Sequence, residues 1–320
     1  MFKQAKILFL YTETPLHVGS GNSLGTVDLP IQRERHTNLP MIQSSGIKGK
    51  LRSTFSKNDN NDKINESEKQ RQKELIKVIF GPEGNGASEH AGALSPGDGR
   101  ILLFPVRSLS GVFAWITCPL AINRLKRDLN LVQQPQTWEV PTPNDGQAFV
   151  PDNSSKVLID DAVVLEEFSF TAQCNAQVQA LACWLADNSL PFRAENDKDE
   201  YEYWRNKLKK DLVVISDSAF TDFCKFSTDV VSRTNLDQTT KTVKNGMLWT
   251  EENLPADTLL YAPLFACDPR IGKKDDIPAE VANAAAILGF VQTHLTNGHS
   301  RLQLGGNETV GRGIVATRVL

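Results

Sequence analysis

Short apolar runs separated by polar stretches dominate the hydropathy pattern of the chain and predict its main elements. The continuous apolar run "ILFLY" at residues 7–11 predicts a central strand that is buried on both faces of a sheet. Two further strands are predicted by the runs "RILLFPVRS", which begins at Arg100, and "GVFAWIT", which begins at Gly111. The runs "PLAINRLKRDL" from Pro119 and "QVQALACWLADNS" from Gln177 predict helices.

Helical spacing is clear in the segment "SSGIKGKLRSTF". Its apolar residues Ile47, Leu51 and Phe55 recur every four positions and therefore fall on one helix face. Either Ser44 or Ser45 can cap the N-terminus of this helix. The segment therefore predicts an amphipathic helix that follows the first strand.

The C-terminal region, residues 278–320, predicts a helix followed by a glycine-rich loop. Val281, Leu288 and Leu295 repeat at intervals of seven, and Pro278 precedes the helix. The helix is predicted to end at Gly298. The segment that follows, "LQLGGNETVGRGIVATRVL", predicts a strand, a glycine loop and a last strand.

Two polar stretches interrupt the apolar pattern. Residues 56–74 contain one apolar residue, so we predict a flexible insertion over 56–98, because such a segment cannot bury surface. Residues 228–256 hold two β-rich arms around a polar tip, and Asn245-Gly246 in that tip predicts the turn of a projecting hairpin.

The order of these elements predicts an α+β fold, a sheet packed with helices in the ferredoxin-like manner, as a single domain over residues 1–320. The 320 residues are 40% hydrophobic and carry a net charge of −3, as expected of a globular chain with a real core. Residues 1–55 are locally basic, with a net charge of +4, and a basic face can bind a polyanion although the whole chain is acidic.

Several classes of protein find no support in the sequence. No apolar run is long enough to cross a bilayer, and the five cysteines are scattered without a CxxC pair, which fits a reducing cytoplasm and no membrane partner. The motifs GxxxxGK[ST], HExxH and GxSxG are absent from the sequence, so nucleotide hydrolysis, zinc proteolysis and serine hydrolysis are not indicated.

The loop at residues 17–30 is the strongest candidate for chemistry. Its glycines, Gly19 and Gly21 among them, allow close backbone approach to a phosphate or sugar. Asp28 is the only carboxylate between Glu13 and Glu34 and could be a general base or a metal ligand, or could accept backbone N–H bonds in a turn. His17 could take part in acid–base chemistry or pack as a structural histidine.

Three further features could bind an anion. The first is the helix N-terminus, where free N–H groups and nearby cations can meet phosphates. The second is the projecting hairpin with its basic residues, and the third is the C-terminal glycine loop. The candidate anion-binding residues in these features are Ser44, Ser45, Lys48, Arg52, Arg233, Lys241, Gly305, Gly306 and Arg312.

The blocks "ETPLHVGSGNSLGTVDLPIQRE", "LPMIQSSGIKGKLRSTF" and "LQLGGNETVGRG" together resemble the RAMP superfamily of CRISPR proteins. More narrowly, these blocks resemble the repeated backbone subunit of the type III-B (Cmr) effector complex. The segment "VVSRTNLDQTTKTVKNGMLWTEENLP" is similar to the thumb of that subunit. It implies an RRM-like, ferredoxin-like palm with inserted fingers and a thumb hairpin. It also implies head-to-tail stacking of copies along a guide RNA, beside other subunits of the complex.

The resemblance further implies cleavage of complementary single-stranded target RNA at six-nucleotide intervals, with a divalent metal, Mg²⁺ in our interpretation. The family's catalytic aspartate matches Asp28, and its guide-binding lysine matches Lys48, although Gly46 departs slightly from the family's pattern. In this hypothesis Asp28 acts as a base toward a ribose 2′-OH or holds the metal. The alternatives are a structural guide-binding subunit without nuclease activity and a guide-processing endonuclease that uses His17.

Overall fold

The computed structural model describes residues 2–56, 65–83, 90–191, 194–195, 198–271, 277–296 and 300–320 of the chain. Over these residues the fold is mixed α+β, with one large sheet, two small two-stranded sheets and seven α-helices. No helix in these ranges is long and apolar enough to cross a membrane.

The helices are α1 (Ser44–Ser56), α2 (Glu66–Phe80), α3 (Pro119–Leu131), α4 (Ala176–Asn188), α5 (Glu202–Asp211), α6 (Asp217–Phe226) and α7 (Ala284–Thr296). The first strands are β1 (Gln4–Thr12), β2 (Met41–Ile42), β3 (Leu94–Pro96), β4 (Gly99–Arg107), β5 (Phe113–Thr117), β6 (Gln147–Val150), β7 (Leu158–Ile159), β8 (Ala162–Leu165) and β9 (Phe168–Cys174). The remaining strands are β10 (Ala194–Glu195), β11 (Lys198–Asp199), β12 (Leu212–Val214), β13 (Asp229–Leu236), β14 (Val243–Asn253), β15 (Leu259–Ala266), β16 (Arg301–Gln303) and β17 (Ile314–Val319).

The large sheet runs in the order β16-β17-β1-β15-β4-β5-β12-β6-β9-β8-β7, with β2 paired to β4 and β3 paired to β15. Its strands β17, β1, β15 and β4 are neighbours and pair antiparallel throughout. Along the chain α1 lies between β1 and β4, and α7 lies between β15 and β17. Parallel pairs occur only further along the sheet among the described strands, at β12–β5 and β6–β9.

Strand β1 is an interior strand of this sheet, between β17 and β15, and is buried as the apolar run at residues 7–11 predicts. The side chains of Ile7, Leu8, Phe9 and Leu10 are all fully buried. A strand whose successive side chains are all buried must be covered on both faces, because they alternate between the two faces. Helix α7 packs against β1, β15 and β17 on one of these faces.

The predicted amphipathic helix is α1. Ile47, Leu51 and Phe55 are buried as predicted, and the glycines Gly46 and Gly49 lie on its exposed side. Neither Ser44 nor Ser45 precedes the helix, because both lie within it. The amide N–H of Ser44 donates instead to Asp98 Oδ1 at 2.8 Å.

The prediction of a flexible insertion over 56–98 is wrong for the segment that forms α2. Asn65 and Glu68 form a reciprocal capping box at its start, which satisfies free N–H groups of the first turn. The buried apolar residues lie in its second half, Leu75, Ile76, Val78, Ile79 and Phe80. The polar first half therefore extends from a C-terminal half that is anchored in the core. The parts of the insertion at 57–64 and 84–89 lie outside the described residues.

The predicted hairpin is the pair β13 and β14, which we call the thumb hairpin. Its turn lies at residues 237–242 rather than at Asn245-Gly246, both of which belong to β14. The carboxylate of Asp237 accepts the amide N–H groups of Thr239 and Thr240, each at 2.9 Å. This aspartate-centred turn gives the tip a local set of hydrogen bonds, which is why it displaces the Asn-Gly turn.

The C-terminal helix begins later than predicted. A single 3₁₀ turn at Ala279–Val281 follows Pro278, and α7 starts at Ala284. Val281, Leu288 and Leu295 are buried as their spacing predicts. The predicted stop at Gly298 lies outside the described residues.

Candidate nucleic-acid interface

The loop at residues 17–30 is attached to the thumb hairpin along β14. The amide N–H of Leu29 donates to the carbonyl oxygen of Thr250 at 3.0 Å, and the amide N–H of Glu252 donates to the carbonyl oxygen of Leu29 at 3.0 Å. Leu29 and Glu251 therefore pair as a parallel bridge beside the thumb hairpin. The loop is thus fixed at its C-terminal end by β-type hydrogen bonds.

Asp28 lies immediately before this bridge, and its side chain is exposed. Its Oδ2 accepts hydrogen bonds from the amide N–H of Thr250 at 2.7 Å and from the Thr250 hydroxyl at 2.9 Å. The backbone hydrogen bond from Thr250 and then its hydroxyl lower the pKa of Asp28, because both donors stabilise the carboxylate. The carboxylate therefore remains ionised at neutral pH.

Glu252 fixes the base of the loop from inside the protein. Its buried carboxylate accepts the amide N–H of Ile31 at 3.0 Å and pairs with Arg33 at 2.6 Å. It also accepts the hydroxyl of Thr228 at 2.8 Å, where the thumb hairpin leaves the body. One carboxylate thus connects the end of the loop to both strands at the base of the thumb hairpin.

His17 is buried at the start of the loop, with 9% of its surface exposed. Its Nδ1 lies 2.6 Å from the carbonyl oxygen of Glu252, so Nδ1 carries the proton and donates. A Cβ at Gly19 would lie 2.8 Å from the ring Nε2, and the Gly306 amide donates to the His17 carbonyl oxygen at 2.9 Å. His17 therefore joins β14 to the two glycine loops.

Glu251 connects the thumb hairpin to the C-terminal glycine loop. Its buried carboxylate accepts from the side-chain amide of Asn307 at 2.7 Å and lies 3.4 Å from Arg233. Burial opposes ionisation of Glu251, but the Asn307 hydrogen bond and the charges of His17 and Arg233 outweigh it and lower its pKa. The candidate Arg233 is thus directed toward Glu251 at the base of the thumb hairpin.

A groove of about 510 Å³ brings together the three glycine-rich features that the sequence singles out. Its floor includes Gly19 from the first loop and Gly305 and Gly306 from the C-terminal loop. The exposed face of α1 forms its third side, contributed by Gly46, Gly49, Lys50 and Ser53. Because no Cβ covers the backbone at the glycines, a polymer can approach the main chain closely here.

Lys48 and Arg52 lie on a different face of α1, outside the lining of this groove. Lys48 is half-buried, and desolvation, followed by repulsion from Arg52, lowers its pKa. Arg52 pairs with Glu83 at 2.6 Å. Of the two candidate serines, Ser45 is exposed and Ser44 is half-buried.

The remaining candidates lie apart from the groove lining. Gly21 is exposed with a φ of 99°, and a Cβ there would meet open space. Lys241 lies in the turn of the thumb hairpin, where its amide donates to Asp237. Arg312 is half-buried beside Asp229, whose pKa is raised by burial in spite of the opposing charge of Arg312.

The sequence does not identify Thr250 or Lys50 as site residues. Thr250 has no local signal, because its contact with Asp28 joins positions 222 residues apart. The face of α1 has a signal that could have found it, since Gly46, Gly49 and Ser53 recur at helical spacing with Lys50 between them.

The donors near Asp28 can be compared with what a divalent metal requires. Across the parts of the chain that the structure describes, no three His, Cys, Asp or Glu side chains are grouped as a metal site. Asp28 offers one carboxylate oxygen, Oδ1, that no described residue occupies. A hard cation such as Mg²⁺ fits this donor, provided that substrate phosphates and water complete its shell, as is common for this ion.

The sequence comparisons identify the family to which the chain belongs. The sequence profile described as "RAMP superfamily" matches residues 9–316. The chain belongs to the RAMP superfamily, which confirms the resemblance inferred from its sequence blocks.

Relatives within this family match the chain along nearly its full length. It is 39% identical over 316 residues to the "CRISPR system Cmr endoribonuclease Cmr4" of Pyrococcus furiosus, covering 98% of this chain and 94% of that protein. It is 26% identical to the "CRISPR system CMR subunit Cmr4" of Saccharolobus solfataricus, covering 98% and 96%. The crystal structure of oligomeric Cmr4 from Pyrococcus furiosus superposes with a TM-score of 0.68 at 31% identity, covering 99% of this chain and 97% of that one.

Proposed function

We propose that this chain is the backbone subunit of a type III-B CRISPR ribonucleoprotein, binds guide RNA, and cleaves complementary target RNA at six-nucleotide intervals. The observation that carries the proposal is the exposed carboxylate of Asp28, held by Thr250 in the same loop that contributes Gly19 to the groove. The relative from Pyrococcus furiosus, named as an endoribonuclease, supports the same activity. The six-nucleotide spacing comes from the family resemblance.

The proposed architecture is an RRM-like, ferredoxin-like palm with inserted fingers and the thumb hairpin. The strand order β17-β1-β15-β4, antiparallel throughout, supports it. So does the chain order, because α1 and α7 each connect strands of this group in a βαββαβ sequence when the insertions are set aside. In this arrangement the candidate loop follows the first strand of the palm.

For the chemistry we propose attack of a ribose 2′-OH on its adjacent phosphate. The bond from the 2′-oxygen to phosphorus forms, and the bond from phosphorus to the 5′-oxygen breaks. The 2′-OH loses its proton and the leaving 5′-oxygen gains one, which leaves a 2′,3′-cyclic phosphate and a 5′-hydroxyl. The lowered pKa of Asp28 makes it a weak base. Its main contribution is therefore to accept a hydrogen bond from the 2′-OH and so to orient that hydroxyl.

As the alternative role of the same oxygen, we propose that Asp28 Oδ1 is the protein ligand of a divalent metal, Mg²⁺ in our interpretation. When bound, such an ion supplies stabilisation of the charge that develops on the phosphate. His17 is less suited to acid–base chemistry than Asp28, because it is buried and its Nδ1 donates to a main-chain carbonyl. Its contacts support a role in holding the two glycine loops together.

The proposed partners are a guide RNA, a single-stranded target RNA, further copies of the chain and other subunits of the complex. A head-to-tail arrangement of copies extends into a filament rather than a closed ring, as heterologous contacts do. The oligomeric relative supports self-association. The five free cysteines support the cytoplasm as the place of assembly.

The test is Asp28→Asn in the complex reconstituted with guide RNA, with cleavage and assembly scored separately. We expect loss of target cleavage with assembly and target binding intact. Asp160→Asn, at an exposed turn of the β7–β8 hairpin, is the matched control and should cut as the unchanged chain does. Unchanged cutting by Asp28→Asn, or products with 3′-hydroxyl ends, would contradict the proposal.

A second function, a structural guide-binding subunit without nuclease activity, is favoured by one observation. The Asp28 Oδ2 accepts a main-chain N–H, as a purely structural aspartate would. In that case the unchanged complex would not cut its target. Asp28→Asn would then lower the stability of the chain without any effect on cleavage.

A further inference from the structure

Thr250 makes three hydrogen bonds with Asp28. Its amide and hydroxyl both donate to Asp28 Oδ2, at 2.7 and 2.9 Å, and the Asp28 amide donates to the Thr250 hydroxyl oxygen at 3.0 Å. A hydroxyl has one proton, and here the accepted amide bond directs that proton toward the carboxylate. The orientation of the Asp28 side chain is therefore set by a single residue of the thumb hairpin.

These bonds leave the two oxygens of the carboxylate in different situations. Oδ2 is directed to β14, whereas Oδ1 makes no hydrogen bond to any residue that the structure describes. The main chain reinforces this arrangement, because the Leu29 amide donates to the Thr250 carbonyl oxygen at 3.0 Å. The carboxylate consequently cannot turn about its Cβ–Cγ bond without breaking contacts with β14.

We propose that Thr250 is a positioning residue, which holds Asp28 Oδ2 so that Oδ1 is presented to the RNA. This inference rests on the proposed function, because it requires Asp28 to act at the target. It also assigns the base of the thumb hairpin a part in the reaction. A shift of β14 relative to the loop would move the carboxylate with it.

The charged groups around Thr250 are directed elsewhere. Glu251 pairs with Asn307 and Arg233, and Glu252 with Arg33, Thr228 and the Ile31 amide. No charged side chain is among the causes that lower the pKa of Asp28, and the hydrogen bonds from Thr250 come first among them. The Thr250 hydroxyl can therefore be removed without altering an ion pair.

The test compares Thr250→Val, Thr250→Ser and Asp28→Asn in the reconstituted complex with a guide RNA and its complementary target. Valine has the shape of threonine and suits a strand, so it removes the hydroxyl while the amide N–H remains. We expect Thr250→Val to slow single-turnover cleavage between about tenfold and a hundredfold, with unchanged target binding, and Thr250→Ser to restore it. Thr171→Val, at an exposed position of β9, is the control and should cut at the original rate.

A titration gives a readout that does not depend on cleavage, and the cleavage rates of the variants separate the two proposals. The ¹³C resonance of the Asp28 carboxyl, assigned by its loss in Asp28→Asn, should titrate at higher pH in Thr250→Val, because one donor to the carboxylate is gone. If Thr250→Val cuts at the original rate while Asp28→Asn does not cut, the positioning role is wrong and the proposed function stands. If Asp28→Asn cuts normally, the proposed function fails, whatever the titration shows.

Discussion

The backbone of Gly305 lies directly against that of His17. A Cβ at Gly305 would lie 2.1 Å from the His17 carbonyl oxygen, and the next residue, Gly306, donates its amide to the same oxygen at 2.9 Å. Gly305 also has a φ of 71°, which favours glycine. The two loops of the candidate interface, distant in sequence, are therefore joined by main-chain contact.

Gly305→Ala should separate these loops. The added methyl group meets backbone atoms that cannot move aside as a flexible side chain would, and the positive φ adds a cost of about 1–3 kcal/mol. We expect a lower midpoint in urea unfolding of the isolated chain and weaker binding of single-stranded RNA. The measurement is equilibrium unfolding followed by circular dichroism.

Gly289→Ala is the control for this change. Gly289 lies within α7, and a Cβ there meets no atom within 4 Å, so alanine should raise the stability by about 0.5–1 kcal/mol. Equal stability of Gly305→Ala and the unchanged chain would show that the two loops are not in the contact described.

Glu251 should make the stability of the protein depend on pH. Its pKa is lowered in the folded chain, so its carboxylate stabilises the fold above the ordinary value of 4.5, and this stabilisation is lost as the pH falls through the lowered folded pKa. Glu251→Gln removes the charge that Asn307 and Arg233 face, which should cost about 1–3 kcal/mol at pH 7. Urea unfolding at several pH values between 3 and 7 measures it.

The difference between Glu251→Gln and the unchanged chain should shrink as the pH falls from about 4.5 through the lowered folded pKa, because the carboxyl group is protonated in both states only below that pKa. Glu308→Gln, at an exposed position of the C-terminal loop, is the matched control for the loss of a glutamate carboxylate. A difference for Glu251→Gln that stays constant down to pH 3 would contradict the assigned cause.

The sequence predicts β1 and the buried face of α1 because the signals for both are local. The run at residues 7–11 is apolar at every position, and its short length and continuous apolar character are typical of a strand that is buried on both faces. The spacing of Ile47, Leu51 and Phe55 likewise defines the buried face of α1 without reference to any partner. The loop that carries Asp28 was found because glycines and an isolated carboxylate are visible in a single line of sequence.

The sequence-based predictions fail where contacts with other residues, near or far along the chain, outweigh the local sequence pattern. Helix α2 was predicted as flexible because its first half is polar, yet its second half is buried and Phe80 packs on Phe55 with ring centres 5.4 Å apart. The hairpin turn forms at Asp237 rather than at Asn245-Gly246, because the Asp237 carboxylate accepts two amide N–H groups there. Thr250 was missed because a contact across 222 residues leaves no periodic trace.

Lys50 should contribute more to RNA binding than its absence from the sequence-based candidates suggests. It lines the groove beside Gly46 and Gly49, whereas Lys48 lies on another face of α1. Lys50→Gln should weaken binding to every single-stranded sequence and reduce the slope of log K against log salt by about 0.7. Fluorescence anisotropy over a range of salt concentrations measures both effects.

The comparison with Lys48→Gln decides which lysine meets the phosphates. The family resemblance assigns the guide contact to Lys48, so equal reductions in slope would place both lysines on the RNA. Lys156→Gln, at an exposed lysine outside the groove lining, is the control and should leave the slope unchanged. An effect of Lys50→Gln on only some sequences would show base recognition and contradict a backbone contact.

A substitution at Gly49 should change the stability of the chain and its affinity for RNA in opposite directions. Its position in α1 has space for a side chain, because a Cβ there meets no atom within 4 Å, yet it faces the groove. Gly49→Leu should therefore raise the stability of the isolated chain by about 0.5–1 kcal/mol, since leucine is a better helix former than glycine. The same side chain should fill part of the groove and weaken RNA binding about tenfold or more. Gly289→Leu in α7 is the control, because it brings the same gain in helix propensity away from the groove and should bind RNA normally. If Gly49→Leu also bound RNA normally, the groove would not be the path of the RNA.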